Sequence, residues 1–414
     1  VIPVRYLLTG VLVALLAGIP GEAQVPAPPG TPLAVRVTGT PVLPDTLRLA
    51  IATAARLASV APPFARIEVH GTRPPLAPLA APADATLEAT LAISLPGAPS
   101  ARRVVPVAVT PVVLPWSDAQ ALFVSNSPET LPFGKVLYAG SLARAQTVRL
   151  LYHHQNGSQS RRMTIRVDLS NPTRSPVTLW VTAGSGGPSP GELAAGHEAA
   201  KSFLEQYWDR SGFVLTLPPT TTVPLLVHDL PPRDIASGVV QASLLEGAHL
   251  NVEVVARAEG EPEPPPLSFA PDADLEHQRG AFPRPQVTRS LSYTVGGPGA
   301  EMVLGADADL LPEARSRTPL QGNYGVTYWF AVEIANPTLL PAAVALVMHA
   351  DGGPAQGTFL VDGQVVDGPP VLPRAPRILT TVHVPPLARQ LVRIGTMPES
   401  GSNYPVRLTL EPAW

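Results

Sequence analysis

The 414-residue chain contains no cysteine. That removes disulfides, thiol nucleophiles and every thiolate metal site, and it leaves the burial of apolar surface to hold the fold. Charge is sparse as well. Only 15% of residues are Asp, Glu, Lys or Arg, lysine occurs solely at Lys135 and Lys201, and the formal net charge is −3. There is neither a basic stripe of the kind that follows a nucleic-acid backbone nor an acidic tail, so nucleic acid is excluded as an expected partner. Several patterns that carry catalysis are missing too: no HExxH, no SxxK and no phosphate cradle ending in Lys-Ser/Thr. What abounds is proline, at 52 positions. Proline breaks helices and is kept out of central strand positions, so many short strands joined by Pro-rich turns are expected.

The first residues read as an export signal. Arg5 supplies the positive end, an apolar run extends from Tyr6 to Ile19, Pro20 breaks it, and Gly21-Glu22-Ala23 sets small residues around a cleavage point. The run of fourteen residues is shorter than the roughly 20 that a bilayer-crossing helix requires. Residues 1–23 are therefore expected to be a signal peptide, with no stable membrane span once it is cleaved. The mature chain is expected in the periplasm, on the cell surface or outside. A Pro/Ala-rich spacer, 24–32, follows.

Residues 33–115 mix elements and read as a small α+β domain. Leu33–Thr38 alternates like a strand, Asp45 suits a helix N-cap before Thr46–Ser59, and Arg66–Val69, Ala85–Leu95 and Arg103–Val113 read as strands. The stretch 259–287, with Glu261-Pro262-Glu263-Pro264-Pro265-Pro266, reads as an extended linker. On either side of it the chain resembles itself. Val167-Asp168-Leu169-Ser170-Asn171-Pro172-Thr173 recurs as Val332-Glu333-Ile334-Ala335-Asn336-Pro337-Thr338 at an offset of 165. Gly186-Gly187-Pro188 recurs as Gly352-Gly353-Pro354, and Pro218-Pro219 as Pro385-Pro386, the offset drifting to 167. Residues 116–258 and 288–414 thus read as two copies of one unit. Met163, Ile165, Val167 and Leu169 alternate with polar residues, Asn-Pro-Thr turns the chain, and Val177–Thr182 returns as a second strand. Both Gly-Gly-Pro segments read as turns. The expected fold class is mainly β: two duplicated Ig-like antiparallel β-sandwich domains preceded by the small α+β domain.

The pattern Val167-x-Leu169-x-Asn171, repeated as Val332-x-Ile334-x-Asn336, followed by an apolar strand, resembles bacterial Ig-like modules of the adhesion-related CARDB type. The resemblance spans about 40 residues of each copy. It implies a noncatalytic extracytoplasmic module and transfers no functional residue.

The copies diverge after Gly-Gly-Pro. The second continues into a hairpin signal, Asp362-Gly363 between apolar stretches, while the first has a helical insert, 192–210. Exchanged segments on a shared frame are where functions diverge. The insert carries His197 and Glu198, and the same copy carries His153 and His154, which point to opposite faces of a strand. The candidate ligand-binding residues are His154, His197, Tyr324 and Trp329. No catalytic residue, metal site or cofactor is assigned. The leading expectation is a noncatalytic structural or interaction protein without a deep polar cleft, its partner another extracytoplasmic protein or a cell-surface glycan. One alternative is a carbohydrate-binding protein using Trp180, Tyr207, Trp208 and Trp329 as a stacking platform. Another is a hydrolase in which His197 and Glu198 act with His153 or His154.

Overall fold

The structure, a computed structural model, describes residues 31–62, 64–73, 84–95, 100–265 and 278–413. The expected signal peptide, nearly all of the spacer 24–32, and the end of the Pro-rich run lie outside the described residues. Among the described residues the chain is mostly β, with two α-helices, α1 (Pro44–Leu57) and α2 (Glu192–Trp208), and four sheets. The first sheet has eleven strands. Its order is Arg279–Pro283, Ala121–Ser125, Thr147–Asn156, Ile235–Glu246, Val177–Ser189, Gly212–Leu217, Leu33–Thr38, Ala101–Pro111, Ala85–Ser94, Arg66–Arg73, with Thr130–Leu131 beside Thr147–Asn156. The 33–115 stretch has its α+β content, and its sheet is continuous with the next: Leu33–Thr38 pairs antiparallel with Gly212–Leu217. The second sheet runs Thr222–Leu230, Met163–Ser170, His249–Ala258, Lys135–Ala143. The third runs Gln286–Thr294, Thr327–Ala335, Arg389–Thr396, Thr358–Val361, Gln364–Asp367, and the fourth Ala300–Leu304, Val406–Pro412, Ala342–Ala350, Arg377–Val384.

Sheets one and two face each other over one core, built from the alternate residues that period-two patterning singles out. Val177, Leu179, Val181 and Ala183 meet Ile165, Val167 and Leu169 there. Sheets three and four enclose a second core around Tyr328, Phe330, Val344, Leu346 and Leu408. That second core does not stop at the sandwich. It runs on through Ala200, Phe203, Leu204 and Tyr207 of α2 to Leu122, Leu151 and Val239 on the outer face of sheet one. The two halves therefore bury apolar surface against each other, with α2 between them.

Two sequence details explain how α2 fits. Gly186-Gly187-Pro188 reads as a turn from sequence, yet it lies, with Gly184, within the strand Val177–Ser189. A Cβ on Gly184 would stand 2.2 Å from Phe203 N, and one on Gly186 2.1 Å from Ala195 O, so their bareness lets the helix backbone rest on the strand. Gly352-Gly353-Pro354, by contrast, lies outside any strand. The Asp45 cap is also corrected. Pro44 begins α1, Leu43 occupies the cap without a side-chain bond, and Asp45 sits in the first turn. The linker 259–287 is anchored where described: Glu261 pairs with Arg161 at 3.0 Å, and Arg279–Pro283 adds an edge strand to sheet one.

One side-chain device recurs. Asn171 spreads its Nδ2 hydrogens over the carbonyls of Ser175, Leu217 and Pro218, at 2.9, 3.1 and 2.9 Å, while its Oδ1 accepts from the Thr173 N–H and hydroxyl. Asn336 does the same with Leu340, Val384 and Pro385, at 2.8, 3.2 and 3.0 Å, and with Thr338. Asn156 does it with Arg161, Leu230 and Pro231, at 2.9, 3.1 and 3.0 Å, its Oδ1 accepting from Ser158 N–H. All three asparagines are buried, and each pins the end of one strand to a proline-containing turn of another. Strand pairing recurs as well. Val177–Ser189 lies between Gly212–Leu217 and Ile235–Glu246, with Thr147–Asn156 beyond, as Ala342–Ala350 lies between Arg377–Val384 and Val406–Pro412, with Ala300–Leu304 beyond, all antiparallel.

Candidate functional site

The last turn of α2 helps to build an aromatic pocket. Ala200, Phe203, Leu204 and Tyr207 form its buried face at helical spacing, which sends the next residue, Trp208, to the helix margin, where it is half-buried. Trp180 comes from the adjacent strand and donates from Nε1 to Thr38 Oγ1 at 2.8 Å. Gly212 makes room for it, since a Cβ there would stand 2.5 Å from that nitrogen. Trp116, from the segment entering the first sandwich, meets both rings edge-on: 5.4 Å from Trp180 at 77°, and 4.9 Å from Tyr207 at 65°. Asp118 holds the arrangement, accepting from Trp116 Nε1 at 3.1 Å and from the Tyr207 hydroxyl at 2.7 Å. Beside these rings lies a cavity of 430 Å³ lined by Trp116, Trp180 and Trp208, with Ser117, Asp209 and Arg210 as polar neighbours. Its size falls within the ~300–1,000 Å³ of small-ligand pockets.

None of the four residues singled out from sequence lines this pocket. His154 is fully buried beside the first core, its Nε2 2.9 Å from Ser125 Oγ and its Nδ1 2.9 Å from the Pro128 carbonyl. Burial, against the Pro128 bond, pushes its pKa down to about 3, so it is neutral at ordinary pH. Tyr152, His153 and His154 are all buried, because both faces of this strand are covered. Trp329 is half-buried on the face of sheet three opposite Tyr328 and Phe330, over Gly395, whose Cβ would stand 2.5 Å from Trp329 Cζ3. Trp180 and Trp208 therefore share a pocket that Trp329 does not line.

Tyr324 donates to the Ser402 carbonyl at 2.8 Å and meets Tyr404 edge-on at 5.5 Å. Burial, with the Glu129 charge, pushes its pKa up to about 12. It lines a cleft of 600 Å³ between the two sandwiches, together with Glu129, His153, Glu192 and Asp307. The expectation of no deep polar cleft is thus corrected, and its cause is the packing of one half on the other.

His197 is the hinge pin of that packing. Its Nδ1 lies 2.7 Å from Glu399 Oε2 and its Nε2 2.9 Å from Asp367 Oδ1. Asp367 also pairs with Lys201, and Glu399 accepts from Thr358 N–H at 2.7 Å. Asp367 ends the Asp362-Gly363 hairpin, so the helix and the hairpin that distinguish the two halves grip each other. Gly196 permits the contact, since a Cβ there would stand 1.6 Å from Ser400 O. Burial lowers the His197 pKa, but hydrogen bonds and charge from Glu399 and Asp367 outweigh it and raise the value. Glu198 accepts from Gly187 N–H at 3.1 Å. His197 and His154 thus have separate partners, and no group of three His, Asp or Glu among the described residues is placed to hold a metal ion. Sequence reasoning missed Trp116, Asp367 and Glu399. Trp116 carries a weak signal, an isolated indole in a non-periodic Pro-flanked segment; the two acids carry none.

No family model matches the chain, and no curated protein does. Among solved structures, it is similar to tripeptidyl peptidase 2 at 9% identity and TM-score 0.18, covering 85% of this chain and 29% of the other. Carbohydrate-binding modules of the β-sandwich superfamily match at 10% identity and TM-score 0.14, over 47% of this chain and 85% of the other. The tandem CBM22 domains of Paenibacillus barcinonensis Xyn10C match at 8% and 0.15, over 69% and 92%. At these values no function passes from them to this chain.

Proposed function

We propose that the chain is a noncatalytic, extracytoplasmic binding protein that takes one ring of a cell-surface glycan in the Trp116–Trp180–Trp208 pocket. The observation that carries this is convergence. Of five tryptophans, three line one cavity. Indole faces and edges offer apolar surface to the C–H groups of a sugar ring, and Asp118 fixes two of the aromatic side chains before a ligand arrives. The Arg5–Ala23 leader supports export. The three asparagine clamps and the shared pairing pattern support descent of both halves from one Ig-like, CARDB-type unit.

The test is a glycan array probed with the wild-type protein and with Trp208→Ala, chosen because Trp208 is half-exposed while Trp180 belongs to the core. Binding by the wild type and its loss in a folded variant is the expected result. Binding unaffected by the substitution, or absent from the wild type, overturns the proposal. A second reading, a rigid structural module, is favoured by the apolar continuity between the halves through α2. It expects no glycan binding and a single cooperative unfolding transition.

A further inference from the structure

The tryptophan pocket is also lined by two charged residues of opposite sign, Asp209 and Arg210. Arg210 follows the C-cap of α2: Ser211 N–H donates to Gln206 O at 2.8 Å, and Arg210 N–H to Tyr207 O at 3.2 Å. These are the two bonds of a Schellman stop, and Arg210 stands at the left-handed position, φ +53, where glycine is favoured. Four other arginines share that backbone region, Arg233, Arg284, Arg317 and Arg374, but none of them lines this cavity. The Arg210 guanidinium lies 5.7 Å from the Trp116 ring centroid, exposed at the cavity mouth. Asp209, also exposed, lines the same mouth, and neither residue forms an ion pair among the described residues.

From this we infer that the ring taken by the pocket is acidic, a sugar of the hexuronate class. This rests on the proposed glycan reading and sharpens it. The guanidinium presents paired N–H donors that match a carboxylate. Asp209 accepts from ring hydroxyls, which a carboxylate does well and an indole does not. The indoles take the apolar face of the ring.

The experiment compares calorimetric titration of uronate oligosaccharides and their neutral counterparts into wild type, Arg210→Gly and Trp208→Ala. Wild type is expected to bind the uronate at least tenfold more tightly than the neutral sugar. R210G should lose that preference while melting at the same temperature or higher, because glycine suits the left-handed position. Salt should weaken uronate binding in the wild type and leave neutral binding unchanged. Retention of the uronate preference in R210G, or a wild type that binds neutral rings equally well through Trp208, overturns the inference and leaves the glycan reading standing. A wild type that binds neither series overturns both.

Discussion

Replacing His197 with alanine strips a buried carboxylate of one of its two hydrogen-bond donors. Glu399 is fully buried, and its partners are His197 at 2.7 Å and Thr358 N–H at 2.7 Å. Breaking a buried pair on one side costs about 3–5 kcal/mol. Here Glu399 keeps its backbone donor, and burial already raises its pKa, which eases uptake of a proton. The expected loss is therefore about 2–3 kcal/mol at pH 6, near the value for a charged hydrogen bond. The pH dependence follows from His197. Its folded pKa is raised above the unfolded value of about 6.5, so its stabilisation is complete below that pH and is lost as pH rises through the folded value. On the acid side, protonation of Glu399 removes the charge that His197 meets. The difference between wild type and His197→Ala should thus be smaller at pH 9 than at pH 6, tending towards the roughly 1 kcal/mol of a neutral hydrogen bond as His197 loses its proton. Urea unfolding followed by tryptophan fluorescence at both pH values measures it. A loss under about 0.5 kcal/mol at pH 6, the range of an ordinary surface substitution, would refute the reasoning, as would equal losses at the two pH values.

Three further outcomes are expected. Asn336→Ala leaves the carbonyls of Leu340, Val384 and Pro385 without their side-chain donor and should cost about 2–3 kcal/mol in denaturant unfolding, and Asn171→Ala should cost nearly the same. Unequal values would mean that the two clamps do not do the same work. Gly186→Ala drives a methyl into the α2 backbone and should lower stability by at least ~2 kcal/mol, whereas Gly363→Ala, with nothing within 4 Å, should cost only ~1 kcal/mol from its φ of +82°. Tyr324→Phe removes one hydrogen bond, to Ser402 O, and should cost about 1 kcal/mol without altering glycan binding, since Tyr324 lines the cleft and not the tryptophan pocket.

Legibility followed the range of the interaction. Alternation along Met163–Ser170 exposes its strand, Asp362-Gly363 its hairpin, with φ of +48° and +82°, and Leu193, Ala200, Phe203, Leu204 and Tyr207 the inner face of α2, of which all but the half-buried Leu193 are buried. Each of these is written within a dozen residues. The pairing of Leu33–Thr38 with Gly212–Leu217 joins residues far apart in sequence and leaves no local trace. His197 illustrates the limit best. It is visible as a polar residue on an apolar helix, but its meaning depends on Glu399, 202 residues away. The break that Gly196 makes in the helix pattern looks like a flaw until the Ser400 carbonyl is seen against it. Trp180 and Trp208 were visible as aromatics and grouped with Trp329 by chemistry alone; only the fold separates them and brings in Trp116.

The central claim concerns which indoles meet a ligand, and indole N–H resonances report it one side chain at a time. Titrating a ¹⁵N-labelled protein with a bound oligosaccharide should shift the Trp116 and Trp208 indole signals and leave that of Trp329 in place. A shift confined to Trp329, or saturable binding that moves none of the pocket indoles, would contradict the account.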